Sequence, residues 1–100
     1  MFLEISEKSV FQSEASKTLI EPLHEAIYLN LNQLIQIEFN ECFIKKIHSN
    51  TSIVFIREIK LYIISEDGIW NYMTLYFTKE SNVQFQRIKN IVIKGDNYGK

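Results

Sequence analysis

The sequence predicts an α+β domain: an N-terminal helix packed on a four-stranded antiparallel β-meander, of the helix-on-curved-sheet type. Three observations predict it. Apolar residues between Ser13 and Leu31 fall at i, i+3, i+4 spacing, the period of one helix face. From Gln33 to Lys94 apolar residues recur largely with period two. Three turn-forming clusters cut that long stretch into four arms: His48-Ser49-Asn50-Thr51, Glu66-Asp67-Gly68 and Lys79-Glu80-Ser81-Asn82.

The elements follow in order. Residues 1–12 are an arm in which Phe2, Leu3 and Ile5 read either as a short strand or as packed coil. The helical segment covers about 13–31, with Leu19, Ile20, Leu23, Ala26, Ile27 and Leu31 on its stripe. Thr18-Leu19-Ile20-Glu21 has capping-box spacing, which would place Pro22 in the first turn. A helix from Ser13 kinked at Pro22 is the alternative. The antiparallel sheet covers about 33–94. Its first strand, Gln33 to Ile47, carries Ile35, Ile37, Phe39, Phe43 and Ile47 on one face. The second, Ser52 to Ser65, is apolar on both sides, as a central or covered strand would be. The third is Ile69 to Thr78. The fourth, Val83 to Lys94, keeps period two only if a bulge near Arg87 resets it. Residues 95–100 form a mobile tail. This order of elements is similar to that of cystatins. Their Gln-x-Val-x-Gly loop is absent here, so nothing of their function carries over.

The turn at Glu66-Asp67-Gly68 sets the register of the second and third strands. A two-residue turn would put Ile63 opposite Tyr72 and mix the faces. A three-residue loop with Gly68 left-handed puts Leu61 opposite Met73 and Ile59 opposite Leu75. The second choice segregates the faces. Phe55, Ile59, Leu61, Ile63, Ile69, Met73, Leu75 and Phe77 then share an aliphatic face. Tyr62, Ile64, Trp70, Tyr72 and Tyr76 share the other, with Glu58 and Lys60.

Composition bounds the function. One hundred residues make a single domain, 1–100, with 46% hydrophobic and 23% charged residues. A net charge of -1 disfavours nucleic acid and anionic membranes as partners. A lone cysteine, Cys42, suits a reducing compartment. The early acids Glu4 and Glu7 speak against a signal peptide, and no apolar run reaches ~18 residues. The expected location is cytoplasmic. Abundant Ile, Lys and Asn suggest an AT-rich bacterial or phage source.

Chemistry-bearing residues are sparse. His24 and His48 lack a second ligand at metal spacing, and Cys42 lacks a basic neighbour fixed by sequence, so no metal and no cofactor are expected. No Gly-rich phosphate loop and no catalytic motif is present. Glu41 and Arg57 occupy core-facing slots of otherwise apolar strands. They are expected to meet as a cross-strand ion pair or, with Arg87 and Asn71, to line a polar pocket between helix and sheet. The aromatic face, Tyr62, Trp70, Tyr72 and Tyr76 rimmed by Glu58 and Lys60, is the candidate partner-binding surface. Its cover is this chain's own arm or tail, a second copy, or a foreign protein. The first functional expectation is a small non-enzymatic protein-binding module, a stoichiometric inhibitor acting by occlusion, of the toxin-immunity or phage anti-defence (anti-CRISPR-like) kind. A ligand-binding or enzyme domain with a pocket between helix and sheet, and a homo-oligomeric structural protein, are the alternatives.

Overall fold

The computed structural model of the chain describes residues 2–14, 20–41, 45–47 and 53–98. Along them run β1 (Phe2–Ile5), β2 (Val10–Glu14), β3 (Glu21–Pro22), β4 (Ile27–Asn30), a 3₁₀ turn (Leu31–Gln33) and β5 (Leu34–Asn40). Then follow β6 (Lys45–Ile47), β7 (Ile53–Phe55), β8 (Arg57–Ile64), β9 (Trp70–Phe77) and α1 (Asn82–Tyr98). Helix and antiparallel sheet are both present, but their order is the reverse of the expected one. The helix is C-terminal, and the segment read as an N-terminal helix is strand, bend and 3₁₀ turn. The main sheet is no four-stranded meander: it has five strands in the order β3-β2-β9-β8-β5, and β1-β4 and β6-β7 form two-stranded sheets.

The N-terminal misreading has a physical cause. Leu23, Ile27 and Leu31 are spaced by four, which is about one helical turn but also two full strand periods. Here the strand period wins: Leu23 and Leu29 are buried, Ile27 and Leu31 pack against the same core, and Tyr28 points out. Pro22 opens no helix. It lies in β3, the outermost strand of the sheet, where a missing N–H costs no ladder bond. Thr18 lies outside the described residues, and Glu21 is exposed in β3. The arm is strand rather than coil, with Leu3 and Ile5 of β1 buried and Phe2 and Glu4 facing out.

The C-terminal misreading is the converse. Arg87 and Lys89 interrupt a period of two but fit a period of 3.6. Phe85, Ile88 and Val92 are buried at i, i+3, i+7, with Ile91 packed beside them. No bulge is needed. The spacing Ser81-x-x-Gln84 is that of a capping box, and the Ser81 carbonyl accepts the first helical bond, from Phe85 N–H at 3.1 Å. The helix runs on to Tyr98, so Gly95–Tyr98 is helical rather than a loose tail.

The hairpin of β8 and β9 has the three-residue loop. Ser65 N–H donates to Ile69 O at 2.9 Å, and Gly68 holds φ +79°. Leu61 pairs with Met73, Ile59 with Leu75, Tyr62 with Tyr72 and Ile64 with Trp70. β5 extends the aliphatic face, setting Ile37 beside Leu61 and Phe39 beside Ile59, and β2 adds Val10 beside Phe77. On this face lies the core, closed by α1 and by the β1-β4 pair: Leu3, Ile5, Leu29, Phe85, Ile88 and Val92 meet Ile59, Leu61, Leu75 and Phe77. Phe85 is fully buried, edge-on to Phe77 at 5.5 Å and to Phe39 at 5.8 Å between ring centroids. Polar bonds complete the attachment. The Gln84 amide accepts from Ser6 N–H and donates to Ser6 O, Arg87 donates to Glu4 O, and Ser81 Oγ donates to Ser9 O.

Two consequences are measurable. A Cβ on residue 68 would meet nothing within 4 Å, so Gly68→Ala has only the left-handed backbone to answer for. The expected cost is about 1 kcal/mol, a fall of about 4–8 °C in melting temperature, with Gly68→Asn milder. An unchanged melting curve for the alanine variant would remove the left-handed closure. Phe85→Ala should cost about 3–5 kcal/mol in denaturant titration, while Val83→Ala on the exposed side of α1 should stay within about 0.5. Equal losses for the two would contradict the assigned helix face.

Candidate functional site: the open end of the hairpin face

The second face of the five-stranded sheet is laid out in cross-strand rows. Ile64 and Trp70 form the row nearest the loop. Gln36, Tyr62 and Tyr72 form the next; then come Glu38, Lys60, Thr74 and Ser13; then Asn40, Glu58, Tyr76 and Phe11. The four aromatic residues expected on one face do share it. Their surroundings differ from end to end.

The end far from the loop is covered. Phe55 was expected on the aliphatic face, but Ile56 inserts a bulge before β8. Both Ile56 and Arg57 oppose Phe77, Ile56 N–H donating to Phe77 O at 2.9 Å. That one-residue shift turns Phe55 to the opposite face, where it is fully buried. Its ring lies 5.0 Å from Phe11 and 5.4 Å from Tyr76. Tyr76 is 7% exposed, its hydroxyl 3.0 Å from Ser13 Oγ, and Glu58 beside it is also 7% exposed. Both offer almost no area to a partner.

The end near the loop is open. Tyr62 and Tyr72 stack across the strands at 4.8 Å, tilted by 34°, and both are half-buried. Thr74 Oγ1 donates to the Tyr72 hydroxyl at 3.1 Å, which steadies that ring. Beyond them Trp70 is 65% exposed and Ile69 58% exposed. Ile69, expected in the core, is exposed on the aliphatic side of the hairpin tip. Ile69 has no place in the core cluster that α1 and the β1-β4 pair close over the sheet. Asn71, Glu66 and Asp67 are exposed around this tip. No residue-type signal separates Ile69 from Ile63, which packs against the core cluster. A smaller exposed pair, Phe2 and Tyr28, lies diagonally on the outward side of β1 and β4.

The expected polar pocket does not assemble. Glu41 is exposed rather than core-facing. Its carboxylate pairs with Lys89 of α1, while Arg57 donates to the main-chain oxygens of Glu41 and Ile56. Arg87 goes to Glu4 O instead, and Asn71 stands at the hairpin tip. Register does not separate Glu41 from Arg57: the alignment of residue 40 with 58, carried one step on, sets them opposite one another. The Glu41 side chain instead turns to Lys89 and leaves Arg57 only its main-chain oxygen. The pairing of Ile47 with Ile53 is as expected, but it does not propagate to Glu41. His24 is exposed, and Cys42 and His48 lie outside the described residues. Among the described residues no three His, Cys, Asp or Glu side chains come together to hold a metal ion. None of the helices described is long and apolar enough to cross a membrane.

The open end holds stacked rings, an exposed indole and a short rim of Gln36, Glu38 and Lys60. Gln36 Nε2 donates to Glu38 Oε1 at 2.9 Å along that rim. Compared with known proteins, the chain matches no family model, no curated protein and no solved structure.

One electrostatic test follows. Lys89 holds the Glu41 carboxyl below its usual range, by hydrogen bonding first and by charge second, with Arg57 adding little. A lowered folded pKa stabilises above the unfolded value, and the effect is lost as pH falls through the folded one. In Lys89→Ala, a ¹³C titration of the Glu41 carboxyl should show its midpoint rising toward the ordinary value. Added salt should do the same in the parent protein. A midpoint insensitive to both would mean the pair does not form in solution.

Proposed function

We propose that the chain is a small non-enzymatic protein-binding module that acts by occlusion. Its contact surface is the open end of the hairpin's aromatic face: Trp70, Tyr62 and Tyr72, with Lys60 and Glu38 on the rim. The carrying observation is the exposure of Trp70 beyond the Tyr62–Tyr72 stack, at the end of a register-locked hairpin. Large rings held rigid lose little entropy on contact and dominate binding hot spots. A cluster of exposed apolar side chains on a small chain is the usual mark of an interaction site. Tyr76 and Glu58, first grouped with this surface, act behind it as buried support.

A helix–sheet pocket finds no support, because Phe85, Ile88 and Val92 fill that interface. The single cysteine and the acidic balance favour a cytoplasmic setting. They favour a stoichiometric inhibitor of the toxin-immunity or phage anti-defence kind over a nucleic-acid binder.

Affinity capture with the parent chain, followed by titration of the recovered protein, tests this. Trp70 is the only tryptophan, so its fluorescence reports the contact directly. A one-to-one complex is expected, with an emission shift on binding. Trp70→Ala should weaken it by about 30-fold or more, corresponding to about 2 kcal/mol. The melting temperature of that variant should stay near the parent's, since an exposed ring supports little of the fold. Undiminished binding by the doubly substituted Trp70→Ala, Tyr72→Ala chain would remove this surface from the account.

A further inference from the structure

We infer that β5 is a self-association edge, along which two copies of the chain pair antiparallel about Ile37. This rests on strand geometry and is independent of the hairpin-tip reading.

The edges of the sheets are treated unequally. β3 closes one side of the main sheet with only two residues, one of them Pro22. The main chain of β1 and the residue after it is engaged by Arg87 and Gln84 of the helix. β5 closes the other side of the main sheet with seven residues. Among the described residues no strand pairs with its outer side. Natural edges are guarded by lysine, proline, bulges or short length. β5, Leu34-Ile35-Gln36-Ile37-Glu38-Phe39-Asn40, has no lysine and no proline. Its one irregularity lies at the Leu34 end, between Leu34 and Gln36.

The direction of its main-chain groups follows by alternation. Ser65 bonds toward β9, so odd residues of β8 face β9 and even residues face β5. Tyr62, Lys60 and Glu58 therefore bond Gln36, Glu38 and Asn40. The N–H and C=O of Ile37 and Phe39 are left pointing outward.

A two-fold axis at Ile37 uses these groups directly. Ile37 exchanges both main-chain bonds with Ile37 of the second copy. Gln36 then stands opposite Glu38 of the second copy, and Glu38 opposite its Gln36. These flanking pairs are of the close kind, with side chains in contact. An amide donor meets a carboxylate acceptor twice, the same partnership Gln36 and Glu38 already make along one strand. The two Glu38 charges do not face each other in this register. Gln36 and Glu38 are both exposed, so each can turn to the second strand once the bond between them is released.

Sedimentation of the full chain over a concentration series tests the inference. A monomer–dimer equilibrium is expected. Gln36→Glu sets like charges opposite Glu38 and should weaken the dimer about tenfold; Gln36→Lys should tighten it by a similar factor. Both side chains are exposed, so the fold should be unaffected, which circular dichroism checks. N-methylation of the Ile37 amide, introduced on a synthetic segment joined at Cys42, removes the outward donor and should abolish dimerisation while leaving the pairing with β8. A chain that stays monomeric throughout overturns the inference. So does a dimer unmoved by the Gln36 substitutions and by N-methylation.

Discussion

The closure of the β8-β9 hairpin is the constraint on which the rest of the structure depends. Gly68 takes a left-handed φ of +79°, which an L side chain resists, and so permits a three-residue loop. The loop sets Ser65 against Ile69, and every pair down to Arg57 and Phe77 follows from that. A slip of one residue would set the odd residues of one strand against the even residues of the other, parting Ile59 and Leu61 from Leu75. With the register fixed, one face is aliphatic throughout, and it is the only surface on which α1 and the β1-β4 pair can bury their own apolar sides together.

The two faces are finished differently because their covers come from different distances along the chain. The aliphatic face is sealed from both chain ends, by β1 and by α1, and Phe85 sits where these meet the sheet. The other face receives cover from the strand immediately before β8. The bulge at Ile56 allows β7 to deliver Phe55 onto Tyr76 and Phe11, but so short a connection reaches only the near half of the face. Tyr62, Tyr72 and Trp70 lie at the far half. Burying a ring the size of Trp70 contributes about 1.5–3 kcal/mol, and this chain forgoes that contribution within a single copy.

Legibility in the sequence varied with how local the deciding physics was. The hairpin was legible because loop chemistry and face segregation are both written within residues 59–77 and agree. The helix was not, because apolar residues spaced by four satisfy two periods. Leu23, Ile27 and Leu31 were assigned to a helix when the neighbouring partner was β1, a strand the pattern left open. End signals alone do not discriminate: Thr18 and Glu21 have the same spacing as Ser81 and Gln84, and the latter two side chains bond Ser9 and Ser6 rather than closing a cap. The pairing of Glu41 with Lys89 joins β5 to the C-terminal helix and depends on packing no local pattern carries. The open end of the aromatic face was legible in composition but not in extent. The bulge that buries Tyr76 is a backbone event with no residue-type signature at Ile56.

The exposed tip and the free edge of β5 bear on one another through symmetry. An axis at Ile37 perpendicular to the sheet leaves corresponding faces of the two copies on the same side. The tyrosine stacks would then look out in one direction from a continuous sheet. β9 of one copy is separated from β9 of the other by β8, β5 and their symmetry mates. At about 4.8 Å per strand this places the two Tyr72 positions about 24 Å apart. That distance suits two sites on one extended or symmetric target rather than two sides of a single cleft. A bivalent contact gains through effective concentration what a small patch lacks in area. With two copies joined, each patch would need only modest affinity of its own. In the proposed dimer the edge would supply valency and the hairpin contact, and both originate in the same register, since β8 aligns β5 on one side and β9 on the other.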